Sequence, residues 1–326
     1  MFRLRIAILD DYQSVALSLA DWGSVDASVE VFSAPFADAD EVVKELADFD
    51  VLIAMRERTR FPAEVLSRLR SLKLLVTTGP INSAIDVAAA REFGVVVSGT
   101  RYFSYPTAEL TWTLILAAAR KLPQQVQSMR SGGWQVGLGT SVQGLTLGVL
   151  GLGNVGEQVA TIAQTFGMRV IAWSENLTAA RAAEHKVTAV SKEQLFTEAD
   201  VLSIHIVLSE RSRGMVGASE FAMMKPTSIL VNTSRGPIVD EDALLDALRR
   251  RAISCAAIDV YDQEPLPADH PLRSLDNALL TPHVGYVSRQ LYSVFYRDAV
   301  DDVAAFIAGS PVRVIGSYVD AVSDAA

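Results

Sequence analysis

Three polar residues in the second half of the chain have side chains that could bind an anion and move a proton. Arg235 lies in the segment VNTSRGP, Glu264 in DVYDQEP and His283 in TPHVG. Each segment follows an apolar run that predicts a strand. These runs cover Ser228–Asn232, Ala256–Val260 and Ala278–Leu280. Open α/β sheets place ligands at the carboxyl ends of their strands, so we expect the three side chains near one mouth.

The chemistry of these residue types fits that position. An arginine offers a planar fork to a carboxylate, and a histidine exchanges protons near neutral pH. A carboxylate can hold a histidine ring in place. Taken alone, Arg235 could be a surface arginine, His283 a structural histidine and Glu264 a turn residue before a proline. Their shared position at strand ends favours a functional set.

A glycine-rich segment, GLGNVG at residues 151–156, lies between a predicted strand, Thr146–Leu150, and a predicted helix, Glu157–Phe166. In this spacing Gly151 permits a tight turn, Gly153 lets a pyrophosphate approach the backbone, and Gly156 lets helix and strand pack closely. The start of the helix then offers N–H groups to the phosphates. The pattern predicts a dinucleotide site.

The end of the next predicted strand, Arg169–Trp173, bears on the choice of cofactor. An acidic residue that binds the adenosine ribose is expected about 20 residues after the glycines, and Ser174 and Glu175 stand there. Glu175 would repel a 2′-phosphate, whereas Ser174 and Asn176 could hydrogen-bond one. No arginine follows before Arg181. The sequence favours NAD and leaves NADP open.

These segments belong to an alternation of apolar runs and helical patterns that predicts an α/β fold with parallel sheets. The first series has strands at Leu4–Leu9, Val29–Phe32, Val51–Ala54, Leu74–Thr77 and Val95–Ser98, and helices at Ala37–Ala47, Pro62–Leu69 and Ile85–Phe93. A long helix, Thr107–Ala119, is predicted between Pro106 and Pro123, followed by an extended loop to Gly144. The second series runs from Thr146 through a strand at Val201–His205, and the last helix covers Ser288–Ala308.

Composition excludes several classes of protein. The 326 residues carry a formal net charge of −9, with 29 Lys and Arg against 38 Asp and Glu, which does not suit a nucleic-acid binder. No apolar stretch is long enough for a membrane span, and no signal peptide is expected, so the cytoplasm is the expected location. The single cysteine and four histidines show no metal-ligand spacing, and no metal is expected.

The segments GLGNVG, VNTSRGPIVDE, AAIDVYDQEPLP and LLTPHVGY, in this order, resemble the D-isomer-specific 2-hydroxyacid dehydrogenases. The resemblance covers nearly the whole chain. It implies two Rossmann-like domains: a discontinuous substrate domain of residues 1–103 and 287–326, and an NAD(P)-binding domain of residues 104–286. It also implies an active site in the cleft between the domains, and a homodimer formed through the cofactor domain and the stretch Ser131–Gly144.

The resemblance assigns the reduction of a small 2-keto acid to the Arg–Glu–His set. His283 would give the proton, Arg235 would clamp the carboxylate and stabilise the developing oxygen anion, and Glu264 would favour the imidazolium. The implied cofactor-binding residues are Thr107, Gly151, Leu152, Gly153, Asn154, Val155, Gly156, Ser174, Glu175, His205, Val207, Thr233, Asp259 and Gly285. The implied substrate-binding residues are Met55, Arg56, Thr78, Gly79 and Arg235. Among these, Asp259 would contact the nicotinamide carboxamide, and Thr78 and Gly79 would offer backbone N–H groups to the substrate.

Two other functions stay open at this stage. Formate-type dehydrogenases resemble this fold but pair the histidine with glutamine, and Glu264 argues for the hydroxyacid reaction instead. A corepressor-like module that binds NAD without significant turnover is the alternative from another class. The intact Arg, Glu and His argue against it, and a turnover assay separates the two.

Overall fold

A computed structural model describes residues 3–316 and divides the chain into two compact units. Unit 1 comprises the residues up to Phe103 together with those from Val287 onward, and unit 2 comprises Ser104–Tyr286. The sheets of both units are parallel, which confirms the predicted α/β class. In the described part of the chain, no helix has both the length and the apolar character needed to cross a membrane.

Unit 1 is built on a five-stranded sheet with the order β2-β1-β3-β4-β5. The strands are β1 (Leu4–Ile8), β2 (Ala27–Val31), β3 (Val51–Ala54), β4 (Leu74–Thr77) and β5 (Val96–Gly99), and the helices before unit 2 are α1 (Ala16–Leu19), α2 (Ala39–Leu46), α3 (Ala63–Leu66) and α4 (Val87–Glu92). Every residue of β3 and β4 is buried, as strands covered on both faces require. The strand order reverses between β1 and β3, where open sheets of this type bind ligands.

Unit 2 is built on a seven-stranded sheet with the order β12-β11-β10-β9-β6-β7-β8. Its helices are α5 (Tyr105–Ala119), α6 (Leu122–Arg130), α7 (Asn154–Thr165), α8 (Ala179–Glu184), α9 (Lys192–Glu198), α10 (Ala218–Met223) and α11 (Glu241–Arg249). Its strands are β6 (Thr146–Leu150), β7 (Arg169–Trp173), β8 (Thr188–Ala189), β9 (Val201–Ile204), β10 (Ile229–Asn232), β11 (Cys255–Ile258) and β12 (Ala278–Leu280). The order reverses between β6 and β9, which places the crevice of this sheet directly beyond the glycine-rich segment.

The chain returns to unit 1 in α12 (Arg289–Ile307), which buries Phe295 and Tyr296 completely. The hydroxyl of Ser288 caps this helix by accepting from the N–H of Leu291, over 3.3 Å. The segment after α12 then lies along β5, where the N–H of Ile315 donates to the carbonyl oxygen of Val97 over 2.8 Å. The segment around Ile315 thus extends the edge of the first sheet beside β5.

The predicted elements differ from the structure mainly at prolines and helix starts. Pro123 follows the end of α5 as expected, but it also lies in the first turn of α6, a helix that was not predicted, and Pro106 lies in the first turn of α5. A proline loses no hydrogen bond in a first turn, where the N–H has no intrahelical partner. Helix α7 begins at Asn154, three residues earlier than predicted. The short elements α1 and β8 were not predicted.

Candidate active site

Arg235 lies in the loop after β10, and the buried side chain of Asn232 braces this loop. Asn232 Nδ2 donates to the backbone oxygen of Arg235 over 2.9 Å, and its Oδ1 accepts from the N–H of Ser234 over 3.0 Å. The hydroxyl of Ser234 donates to the backbone oxygen of Ile206, 2.6 Å away beyond β9. Asn232 therefore fixes the turn that presents Arg235, a role that the sequence analysis did not assign.

Gly236 lets the loop of Arg235 touch the loop that leads to Glu264. A Cβ on Gly236 would overlap the carbonyl carbon of Tyr261 and would lie 2.6 Å from the backbone nitrogen of Asp262. A side chain at this position would therefore force the two loops apart. The glycine after Arg235 thus serves the close approach of two backbone segments.

Glu264 and His283 form a direct pair. Nδ1 of His283 lies 2.6 Å from Oε2 of Glu264, and the N–H of Tyr261 donates to Oε1 over 2.9 Å. An ionised carboxylate only accepts hydrogen bonds, so the proton of neutral His283 is assigned to Nδ1, which leaves Nε2 for chemistry. The side chains of His283 and Glu264 are 22% and 34% exposed, so a ligand can reach them.

Asp259 anchors the loop that carries His283. It is completely buried, and its Oδ1 accepts from the hydroxyl of Thr281 over 2.6 Å and from the N–H of Val284 over 2.9 Å. Its Oδ2 accepts from the N–H of Gly285 over 2.9 Å. Burial raises the pKa of the Asp259 carboxyl, while these donors oppose the rise. Asp259 thus holds both flanks of His283 in place, and its expected contact with the nicotinamide stays a prediction.

The glycine-rich segment has the geometry that a dinucleotide phosphate requires. Gly151 has a φ of +99°, and a Cβ on it would lie 2.6 Å from Cγ2 of Ile206. A Cβ on Gly156 would overlap the carbonyl oxygen of Gly151, so this glycine is needed for close packing of α7. Around the missing Cβ of Gly153 there is open space within 4 Å, and no side chain caps α7 there. The first turn of α7 is therefore open to a pyrophosphate.

The predicted cofactor residues around this segment differ in how far their side chains are exposed. Asn154, Glu175 and Val207 are exposed, with Val207 74% exposed beyond β9. Leu152 is buried with its side chain in the core, so only its backbone is suited to a ligand. Val155 and Ser174 are half-buried. The ring of His205 is hydrogen-bonded to the hydroxyl of Ser203 over 2.8 Å, and burial lowers the pKa of His205 to about 3, so this histidine stays neutral.

Residues at the start of helix α5 contact both the loops that carry Arg235 and His283 and the glycine-rich segment, all within unit 2. The hydroxyl of Thr107 donates to the backbone oxygen of Gly285 over 3.2 Å. The hydroxyl of Thr111 lies 2.8 Å from that of Thr233, and both residues are buried. At the start of the helix, the hydroxyl of Ser104 lies 3.0 Å from Oδ1 of Asn154. Ser104 and Thr111 were missed because their partners are distant in the sequence.

The substrate residues predicted in unit 1 lie at the ends of β3 and β4, but only one of them reaches a surface. Met55, Thr78 and Gly79 are buried, and the side chain of Arg56 is 14% exposed. The N–H of Thr78 donates to the backbone oxygen of Ala54 over 3.0 Å, and the N–H of Gly79 donates to the hydroxyl oxygen of Thr100 over 2.7 Å. Both amides thus have partners inside unit 1, and their expected role as substrate donors stays a prediction.

Comparison with known proteins agrees with this architecture. Residues 112–285 match the family model described as "D-isomer specific 2-hydroxyacid dehydrogenase, NAD binding domain". The glyoxylate reductase of Aeropyrum pernix is 38% identical over 77% of this chain and 78% of that protein. A solved structure described as phosphoglycerate oxidoreductase from Vibrio cholerae covers 94% of this chain and 99% of its own, with 36% identity and a TM-score of 0.88.

A further relative, the D-3-phosphoglycerate dehydrogenase of Archaeoglobus fulgidus, is 34% identical over 84% of this chain but only 52% of its own length. This chain thus spans about half of that relative. The matches confirm the resemblance drawn from the four sequence segments: the chain belongs to the D-isomer-specific 2-hydroxyacid dehydrogenase family. They give the corepressor-like alternative no support.

Proposed function

We propose that this protein reduces a small 2-keto acid to the D-2-hydroxy acid with NADH. The observation that carries the proposal is the pair of His283 and Glu264, held next to the loop of Arg235 at the carboxyl ends of β10, β11 and β12. A bound nicotinamide supplies the hydride in this reaction. The residues of this chain supply the proton, the clamp and the phosphate cradle.

His283 gives the proton to the oxygen that forms at C2. With Nδ1 bonded to Glu264, the ring presents Nε2, and the adjacent carboxylate stabilises the imidazolium before the transfer. Glu264 is itself fixed by the N–H of Tyr261, so the ring has a defined orientation. Pre-set geometry of this kind is worth orders of magnitude in rate.

Arg235 binds the substrate carboxylate and stabilises the developing negative charge on the keto oxygen. Its guanidinium offers several donors in one plane, and one of them, Nη1, is directed to the backbone oxygen of Ser234 over 2.8 Å. In unit 1 we propose Arg56 as the substrate-binding residue. Thr78 holds it in place, because Thr78 Oγ1 accepts from the N–H of Arg56 over 2.9 Å, and the missing side chain of Gly79 leaves room for its guanidinium. Direct contacts of Met55, Thr78 and Gly79 with the substrate stay predictions.

The preference for NADH over NADPH rests on the surroundings of Ser174 and Glu175. A 2′-phosphate needs a cation, and Arg181 is the first arginine after these residues. Its guanidinium is paired with both Glu157 and Glu184, the latter over 2.8 Å. Two carboxylates around this cation, and the exposed Glu175 nearby in the sequence, disfavour a phosphate. We propose the other cofactor-binding residues that the family resemblance implies without change.

We also propose that the protein is a homodimer, with α6 and the following loop in the interface. Helix α6 has no buried residue, and its apolar side chains Leu122, Val126 and Met129 are 51%, 40% and 57% exposed. Trp134 and Leu138, in the loop after it, are 70% and 89% exposed. Exposed apolar patches of this kind mark interaction surfaces. Sedimentation at twice the mass of the chain tests the proposal. A cytoplasmic location stays a prediction.

The proposed reaction is tested by the loss of reduced nicotinamide absorbance with a panel of 2-keto acids, run in parallel with NADH and NADPH. Oxidation of NADH by a keto acid supports the proposal, and His283→Ala prepared in the same way controls for contaminating reductases. NADH binding without turnover on any keto acid would contradict it and would revive the corepressor-like hypothesis. A higher kcat/KM with NADPH would contradict the cofactor preference alone.

A further inference from the structure

Two arginines follow β3 at the point where the first sheet reverses its strand order. Arg56 and Arg58 are both half-buried, whereas Arg60 is exposed. Because phosphate groups are recognised by arginine forks, two arginines at a switch point suggest an anion site at first sight. The contacts of both side chains argue against a site for a doubly charged phosphate.

The guanidinium of Arg56 is held by its own neighbours. Nη1 donates to the backbone oxygen of Thr78 over 3.2 Å, and Nη2 lies 3.6 Å from Oε1 of Glu57. The group also lies over the ring of Tyr102, with 5.4 Å between Cζ and the ring centroid. The side chains of Arg56 and Glu57 are only 14% and 21% exposed, so solvent screens this ion pair less than a surface pair.

Arg58 is directed into unit 1 as well. Its Nη1 donates to the backbone oxygen of Asp10 over 2.6 Å, and Cζ lies 4.2 Å from the ring centroid of Tyr12. The carboxyl group of Asp10 is buried and accepts from the hydroxyl of Thr59 over 2.6 Å. The donors of Arg58 are therefore aimed at the backbone oxygen of Asp10 and, over 3.4 Å, at the hydroxyl of Tyr292, both inside unit 1.

We propose that unit 1 selects a 2-keto acid with a single negative charge, its carboxylate, and that Glu57 is the residue that excludes a substrate with a second anionic group such as a phosphate. Arg56 keeps enough donors to bind one carboxylate, but the carboxylate of Glu57 offsets the positive charge of the Arg56 guanidinium. A phosphate placed beside Arg56 would also lie beside the carboxylate of Glu57, and a like charge built next to a binding group is an effective way to reject a competitor. This inference rests on the proposed function and narrows its substrate class.

The test compares two substrates that differ only in a phosphate group, hydroxypyruvate and its 3-phosphate ester, with the full-length protein and NADH. We expect kcat/KM to be at least about tenfold higher for hydroxypyruvate. Glu57→Gln, which removes the charge and keeps the shape, should raise kcat/KM for the ester by about tenfold relative to hydroxypyruvate. Glu57→Asp should keep the discrimination. The matched control is Glu64→Gln, which removes one exposed carboxylate from α3 and should leave the ratio unchanged.

Each outcome bears on a different claim. A wild-type preference for the ester, or a ratio that Glu57→Gln and Glu64→Gln change equally, would overturn the inference while the reductase function stands. Absence of turnover with every keto acid would overturn the proposed function itself, and the inference with it. If Glu57→Gln does not fold, kcat/KM of the wild-type protein is measured at rising salt concentration instead. Salt should raise kcat/KM for the ester more than for hydroxypyruvate, and an equal response would contradict the role of Glu57.

Discussion

The guanidinium of Arg56 occupies the space that a side chain on residue 79 would need. A Cβ on Gly79 would overlap Nη1 of Arg56 and lie 3.2 Å from its Cζ, and Gly79 has a φ of +93°. The backbone of Arg56 is also left-handed, with a φ of 50°, and Asn82 Nδ2 holds its carbonyl oxygen over 2.6 Å. The position of the one proposed substrate cation in unit 1 therefore depends on a glycine in the neighbouring strand end.

Replacement of Gly79 by alanine should displace Arg56 and reduce activity. The left-handed backbone alone costs roughly 1–2 kcal/mol in the free energy of unfolding for a residue with a Cβ. The matched control is Gly94→Ala, because Gly94 also has a positive φ, +76°, but has nothing within 4 Å of its missing Cβ. Both variants should lose stability in urea titrations. Only Gly79→Ala should also lower kcat/KM, on the order of 10- to 100-fold.

Equal kinetic effects of the two alanine variants would show that the contact between residue 79 and Arg56 is unimportant for catalysis. A crystal structure of Gly79→Ala with Arg56 in its original place would have the same consequence.

Glu264→Gln should lower the rate of keto-acid reduction. The carboxylate of Glu264, 2.6 Å from Nδ1 of His283, holds the ring with Nε2 presented to the substrate, and a neutral amide is a weaker partner for this ring. We expect kcat to fall roughly tenfold or more in steady-state assays, since general acid catalysis is worth 10²–10⁴-fold.

Unit 2 contains a second histidine–glutamate pair that serves as the control. Nε2 of His270 lies 3.0 Å from Oε1 of Glu241 at the start of α11. Glu241→Gln makes the same chemical change at a pair outside the proposed site and should leave kcat unchanged. An equal loss of kcat in both variants would indicate a general electrostatic effect and not a role of Glu264 at His283.

The sequence was sufficient for features that a short segment determines by itself. Strands such as Thr146–Leu150 were predicted with the bounds that the structure has, because a strand buried on both faces is a continuous apolar run. The glycine-rich segment was interpretable because each glycine answers a local steric need. Arg235, Glu264 and His283 could be placed at one sheet edge because parallel strands all end there.

The remaining features depend on contacts between distant segments. The brace from Asn232, the N–H of Tyr261 on Glu264, and the three donors on Asp259 become visible only when neighbouring strand ends are brought together. The burial of Met55 has the same origin, since Met55 follows β3, and the pairing of β3 with β4 brings its Sδ within 3.4 Å of the hydroxyl oxygen of Thr78. Residue type alone does not distinguish a side chain that meets a ligand from one that supports it.

Gly236→Ala should uncouple Arg235 from the pair of Glu264 and His283. The new methyl group would overlap the backbone of Tyr261, and forced overpacking costs typically 1–3 kcal/mol in stability. Since a displacement of about 1 Å in a catalytic loop can lower activity by about 10²-fold, we expect a loss of that order in kcat/KM. Gly217→Ala is the control, because the nearest atom to its missing Cβ is 3.6 Å away. Retained activity in Gly236→Ala would mean that the loops adjust without consequence.

The last prediction concerns a buried carboxyl group in α12. Asp302 is 1% exposed. Nη2 of Arg313 lies 2.9 Å from its Oδ1, but the two groups are not aligned for a hydrogen bond, so the contact is an ion pair. Burial raises the pKa of Asp302 from 3.8 to about 7, against the attraction of Arg313 and with the repulsion of Asp298 and Asp301. The folded protein therefore binds this proton more tightly than the unfolded chain does.

The sign of the pH dependence follows from this difference. Between the ordinary pKa of an aspartate and a pH of about 7, the unfolded chain has released the proton and the folded chain has kept it, so stability falls as the pH rises through this range. Asp302→Asn removes the titration. Its advantage over the wild type in free energy of unfolding should be larger at pH 8 than at pH 5, by on the order of 2–4 kcal/mol. Urea titrations at the two pH values measure the effect, with exposed Asp269→Asn as the control. An advantage of Asp302→Asn that is the same at both pH values, or its loss of stability at pH 8, would mean that Arg313 outweighs burial and keeps Asp302 ionised.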